Sequence, residues 1–128
     1  MRDYGFMPIL TVEIVAEETE ALAPSLAAVM ADAAGEIFGS AAGRTWVRLN
    51  LLPAAQYAEN GIALDATPRP VFVSVLKAEP PAGDALARES TQLATALAAL
   101  CGRPVENVHI FWEPAAQGRV AFGGKLVP

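Results

Sequence analysis

The chain of 128 residues has one cysteine, Cys101, which excludes an internal disulfide framework. At the end of an apolar helical pattern, that thiol reads as buried and inert. No run of lysines and arginines occurs, and the formal net charge of −5 argues against general nucleic-acid binding. No apolar run is long enough to span a bilayer; the Ala-rich stretch from Ala21 to Ala34 is broken by Pro24 and Asp32. Met1 to Met7 lacks the apolar core of a signal peptide. These absences lead to the expectation of a cytoplasmic protein with neither membrane nor nucleic acid as partner. There is also no metal-ligand cluster, no phosphate-binding glycine loop and no Ser/His/Asp arrangement, so no metal and no cofactor are expected.

Apolar residues make up 53% of the chain and charged residues 18%, enough to fill a core and too apolar for a disordered tail. The excess of apolar residues also hints at a buried oligomer interface. Pro8 to Val15 alternates, with Leu10, Val12 and Ile14 on one face and Ile9, Thr11, Glu13 and Val15 on the other, so it reads as a strand. Leu22, Leu26, Val29, Met30, Ala33 and Ile37 recur at spacings of three and four, which predicts a helix with Pro24 in its first turn and Gly35 and Gly39 at its end. Arg44 to Pro53 alternates again, with Val47, Leu49 and Leu51 opposite Trp46, Arg48, Asn50 and Leu52.

After Asn60-Gly61 and Pro68-Arg69-Pro70 the order repeats. Val71 to Leu76 reads as a buried strand, and Asp84 caps a helix carrying Leu86, Leu93, Leu97 and Leu100. Val105 to Glu113 reads as a further strand, and Arg119 to Val127 as a short hairpin with Gly123-Gly124. Pro8 and Pro70, Arg48 and His109, and Gly61 and Gly123 are separated by 62, 61 and 62 residues, which suggests an internal duplication. The expected organisation is an extension over residues 1–7 and one domain over 8–128, with pseudo-repeats 8–61 and 70–124. The fold class is α+β: two fused β-α-β units forming a four-stranded sheet with two helices on one face. The other face needs a cover, and neighbouring subunits are the natural one.

Met7-Pro8-Ile9 before a strand, Val47-Arg48-Leu49 in the second strand and Tyr57 before Asn60-Gly61 resemble the pattern of 4-oxalocrotonate tautomerase. Leu100 to His109, Gly118 to Phe122 and Leu126-Val127 are similar to long-chain members of the same tautomerase superfamily, malonate semialdehyde decarboxylase among them. The resemblance spans Pro8 to Val127. It implies a homotrimer and a keto–enol isomerase acting on a small carboxylate, such as an enol-keto or 2-hydroxydienoate acid. It also implies a catalytic proline at the mature N-terminus, at a pocket near the subunit interface. Pro8 matches that proline, Arg48 the arginine that holds a carboxylate or developing enolate, and Tyr57 an aromatic pocket wall.

Three departures qualify the match. Seven residues precede Pro8, and while they stay its nitrogen is an amide without a basic lone pair. Translation from Met7 with methionine removal would expose it. Glu18 stands where the tautomerase pattern has a second arginine, and Lys77-Ala78-Glu79 stands where the decarboxylases carry an arginine pair, which argues against decarboxylation. The alternative is a non-catalytic or repurposed member whose extension blocks Pro8. A third reading is a ferredoxin-like binding module, which shares the β-α-β-β-α-β order. Taken without the resemblance, a proline at a strand start, an arginine alternating out of an apolar strand, a loop tyrosine and the lone His109 are ordinary structural residues.

Overall fold

A computed structural model describes residues 7–64 and 69–128. Most of the proposed extension, residues 1–6, lies outside them. The chain runs β1 (Ile9–Ala16), α1 (Leu26–Phe38), β2 (Trp46–Pro53), β3 (Val71–Leu76), α2 (Gly83–Cys101) and β4 (Val108–Trp112). A last pair follows, β5 (Ala121–Phe122) and β6 (Lys125–Leu126). The four long strands form one sheet in the order β2-β1-β3-β4. β1 pairs parallel with β2, β3 parallel with β4, and β1 antiparallel with β3. Each β-α-β unit thus keeps its own two strands side by side. A ferredoxin-like split unit places another strand between them, so that reading is excluded.

The register turns the alternation of each strand into two faces. Leu10, Val12 and Ile14 pair with Val47, Leu49 and Leu51 on one side and with Val75, Val73 and Val71 on the other. With Val108 these residues, apart from Leu51, meet Leu26, Met30 and Ala34 of α1 and Leu93, Leu97, Ala98 and Cys101 of α2; Leu51 stays 54% exposed at the edge strand β2. Both helices therefore cover the same face, as the two β-α-β units predict. A fully buried leucine or valine there is worth about 1.5–3 kcal/mol, so this layer carries most of the stability.

The helix boundaries differ from the sequence expectation in physical detail. Pro24 and Leu22 precede α1 rather than lying within it; the first turn begins at Leu26, and Leu22 packs on the core from the preceding loop. Val29 is exposed, since Leu26, Met30 and Ala34 at spacings of four already fill the buried stripe. Asp84 lies in the first turn of α2 but does not cap it with its side chain. Its carboxylate still sits at the positive end of the helix. Residues 105–107 form a turn of 3₁₀ helix, so β4 starts at Val108. Both helices end alike. Gly39 and Gly102 adopt φ of 67° and 66° and close a Schellman motif, with Ser40 N–H donating to Gly35 and Arg103 N–H to Ala98. The turn between β5 and β6 needs positive φ at two successive residues, which Gly123 (58°) and Gly124 (83°) supply.

Candidate functional site

The sheet face turned away from the helices carries Trp46, Arg48 and Asn50 from β2, Thr11 and Glu13 from β1, Phe72 and Ser74 from β3, and His109 and Phe111 from β4. Two segments of the chain lie over its ends. At the start of β1, Ala116 and Gln117 donate backbone N–H groups to Lys77 and Ala78 and bring the β5–β6 hairpin alongside. There Phe122, Val127 and Met7 form a second small core with Ile9, Ala78 and Val120. The Trp46 ring meets Phe122 edge-on at 5.7 Å. At the other end, the segment after β2 brings Tyr57 to 5.8 Å from Phe72. Phe72 also stacks near His109 (5.5 Å) and Phe111 (6.4 Å), so the four rings form one aromatic strip.

Pro8 is buried immediately before β1, and its carbonyl accepts the Trp46 N–H at 2.9 Å. Its nitrogen is in peptide linkage to Met7, which is itself only 5% exposed. Arg48 pairs in register with Thr11, three residues beyond Pro8 and ~10 Å along the strand. Its side chain faces outward, exposed, with no hydrogen bond or ion pair to any described residue. Tyr57 lies further along, beside Phe72, whose partner on β1 is Glu13, ~17 Å from Pro8. Within one protomer Pro8, Arg48 and Tyr57 do not converge. The Tyr57 hydroxyl donates to Glu59 at 2.7 Å, and that bond, then burial and the carboxylate's charge, hold its pKa above the ordinary 10.0. The hydroxyl is thereby engaged, and Tyr57 presents its ring.

Other charged residues have structural duties that the sequence did not show. Lys77 is paired with Glu89 of α2 at 2.9 Å and lies over the Phe38 ring at 4.5 Å. It is therefore not a free cation for a substrate acid. Arg103 is almost wholly buried. It donates to both Glu20 oxygens (2.7 and 2.9 Å) and to the carbonyls of Val15, Arg69 and Cys101. Arg69 in turn is bonded to Glu17. Together they tie the loop after β1 to the end of α2. The signal for Arg103 was its place directly after the Cys101-Gly102 helix stop, but nothing local pointed to Glu20, 83 residues away. Met7 was also missed, although the period of two through Ile9 extends back to it. Cys101 is buried, and burial pushes its thiol pKa up, with Arg103 pulling it down and Glu20 adding to the rise. An open groove of about 500 Å³ runs between α1 and residues 40–45, lined by Asp32, Glu36, Ser40 and Thr45 among smaller residues; it contains none of the three candidate residues. Among the described residues no cluster could hold a metal ion, and no helix is long and apolar enough to cross a membrane.

No protein-family model matches the chain, and no curated protein matches it by sequence. Its architecture does match solved structures. The macrophage migration inhibitory factor of Trichinella spiralis superposes with a TM-score of 0.71 at 16% identity, over 91% of this chain and 97% of that one. The Q0 fused 4-OT, a symmetric trimer, gives 0.73 at 18% identity, over 93% and 94%. FG41 malonate semialdehyde decarboxylase, inhibited by 3-bromopropiolate, gives 0.65 at 16% identity, over 90% and 88%. The chain has the tautomerase superfamily fold: a four-stranded mixed sheet with two helices on one face.

Proposed function

We propose that this protein is a tautomerase-like isomerase that interconverts the enol and keto forms of a small carboxylic acid, working as a homotrimer with Pro8 as the base. The observation that carries this reading is the place of Pro8, buried directly before β1 of a tautomerase fold. As a free secondary amine it would titrate near ~8 before perturbation. Burial and a nearby guanidinium both disfavour its charged form, so the neutral base gains weight near neutral pH. It would remove a proton beside the carbonyl, and an arginine would hold the enolate oxygen or the acid through paired N–H bonds. Arg48, exposed and unpaired among the described residues, is available for this role, with Tyr57 as an aromatic wall. Their separation from Pro8 in one protomer calls for copies packed through the open sheet face, bringing Pro8 of one to Arg48 and Tyr57 of another. Phe111, 53% exposed, and Trp46, 40% exposed, supply apolar area for that contact.

A second reading, a repurposed member with Pro8 blocked, is favoured by one observation. Met7 is packed against Phe122 and Val127, so the peptide that acylates Pro8 is anchored in a core. The deciding measurement is ketonisation of phenylenolpyruvate and of 2-hydroxymuconate by two purified forms, one beginning at Met1 and one at Pro8. Turnover by the Pro8 form alone supports the proline-based isomerase. Turnover by neither leaves Pro8 a strand-start residue and removes the isomerase reading.

A further inference from the structure

Because the four strands pair in register, the open sheet face is laid out in rows. One row runs Asn50, Glu13, Phe72 and His109 across β2, β1, β3 and β4, and the next runs Arg48, Thr11, Ser74 and Phe111. His109 is the only histidine of the chain, and it stands on an outer strand of the sheet. Its ring lies 5.5 Å from that of Phe72, and Phe111, two residues on along β4, presents the same face and is 53% exposed. The imidazole is exposed and makes no hydrogen bond or ion pair to a described residue. Few charged groups surround it. β3 sets none beside it on this face, and Arg69, just ahead of β3, is bound to Glu17. Glu13 shares its row but stands beyond Phe72, ~10 Å away, and Arg48 lies in the next row on the opposite edge strand. Glu59 accepts the hydroxyl of Tyr57 on the far side of Phe72. Glu106 lies in the turn before β4, and Glu113 lies ~13 Å along the strand direction.

The occupant that this face suits is a second copy of the chain. Arg48 and Glu13 stand in adjacent rows with opposite charge and do not pair with each other within the protomer. A copy laid against the face therefore meets both signs of charge around an aromatic strip, which makes the surface complementary to itself. Packing of copies there withdraws water from Phe72, His109 and Phe111 together. A neutral imidazole tolerates that; an imidazolium loses hydration that no neighbouring carboxylate replaces. Symmetry repeats the cost in every copy. The attraction between an imidazolium and the Phe72 ring exists in the free protomer as well, so it does not favour assembly.

We propose that His109 makes the assembly of this protein pH-dependent: copies pack through the open sheet face while the imidazole is neutral and separate when it is protonated. The proposal rests on the reading that copies meet at this face, and it does not require Pro8 to be a base. Between about pH 6 and pH 8 ordinary carboxylates stay ionised and histidine is the side chain whose charge changes. The free protomer binds the proton more tightly than the assembly does. Assembly is therefore favoured above the imidazole range and lost as pH falls through it. A tenfold lower proton affinity in the assembly weakens the packing of each copy about tenfold in acid.

The test is sedimentation of the full chain over a concentration series at about pH 8 and about pH 6, with circular dichroism to establish that each variant is folded. The concentration at which half the chain is assembled is expected to rise about tenfold or more at the lower pH. His109→Phe and His109→Gln remove the titration in two ways, and both should assemble alike at the two pH values. His109→Lys should assemble weakly at both. Glu13→Gln should leave the direction of the response unchanged. An acid response that persists in His109→Phe and His109→Gln, or tighter assembly in acid, would overturn the proposal. An assembly with no response to pH would remove the switch and leave the packing of copies standing. A monomer at both pH values, in the unsubstituted chain and in His109→Phe alike, would remove the packing and the switch with it. A response that depends on His109, found together with a Pro8 form that turns nothing over, would keep the switch and remove the isomerase.

Discussion

The two faces of the sheet are made from alternate residues of the same strands, yet they differ in how completely the chain closes them. On the helix face Leu10, Val12, Ile14, Val71, Val73 and Val75 are fully buried. On the other face, Arg48, His109 and Phe111, one residue out of step, stay exposed. Only the ends of that face are roofed, by Tyr57 at one and by the β5–β6 hairpin with Met7 at the other. One face is closed within the protomer except at its β2 edge, where Leu51 stays exposed. The other is half-finished, and its candidate residues are spread along it.

Val73→Asp should sharpen this contrast most. It would bury an unpaired carboxylate in the closed layer and cost more than about 4 kcal/mol, enough to leave the chain unfolded in a urea titration. Arg103→Ala tests the knot that joins the two β-α-β units at one end. Removing its donors would strand Glu20 and three carbonyls, for a loss of about 2–3 kcal/mol by denaturant midpoint. A protein that tolerates it would show that the sheet and the shared helix-face core dock the units without this knot.

Cys101 gives a smaller effect with a defined sign. Its thiol pKa is raised in the fold, so above the ordinary thiol range the unfolded chain loses a proton that the folded chain retains. The contribution of this group to stability is therefore full below that range and is lost as pH rises through the folded value. Melting temperature should fall in alkaline buffer, and Cys101→Ala should flatten the fall. Thiol alkylation should be slow in the native protein and fast in urea.

The smallest effects on stability belong to the open face. Phe111→Asp and Arg48→Ala should each change protomer stability by less than about 0.5 kcal/mol. Phe111→Asp should nevertheless shift the assembly toward monomer in sedimentation, and Arg48→Ala should lower kcat of the Pro8 form. An assembly state unaffected by Phe111→Asp would place any interface elsewhere and break the comparison between the faces.

Much of the closed face could be read from the chain, because burial on one side of a strand writes a period of two and burial of a helix stripe writes a period near four. The strand at Val71 to Leu76 and the buried positions Leu26, Met30, Leu93 and Leu97 are of this kind. Boundaries were less visible. Leu22 has the right spacing for α1 but stands before it, since spacing alone does not say where the first turn closes. The candidate site was legible only as residue types in order. That Pro8, Arg48 and Tyr57 stand apart in a protomer depends on register and on where the loop after β2 crosses, and neither is a local property.

What the sequence determined by itself is the set of elements, their order and the face each strand buries, because these follow from nearest neighbours along the chain and the geometry of the backbone. The tertiary structure alone decided the pairing β2-β1-β3-β4, the engagement of Lys77 by Glu89 and of Arg103 by Glu20, and the meeting of Met7 with Phe122. Each of those joins residues far apart in sequence, and long-range contacts are chosen by the whole packed chain at once.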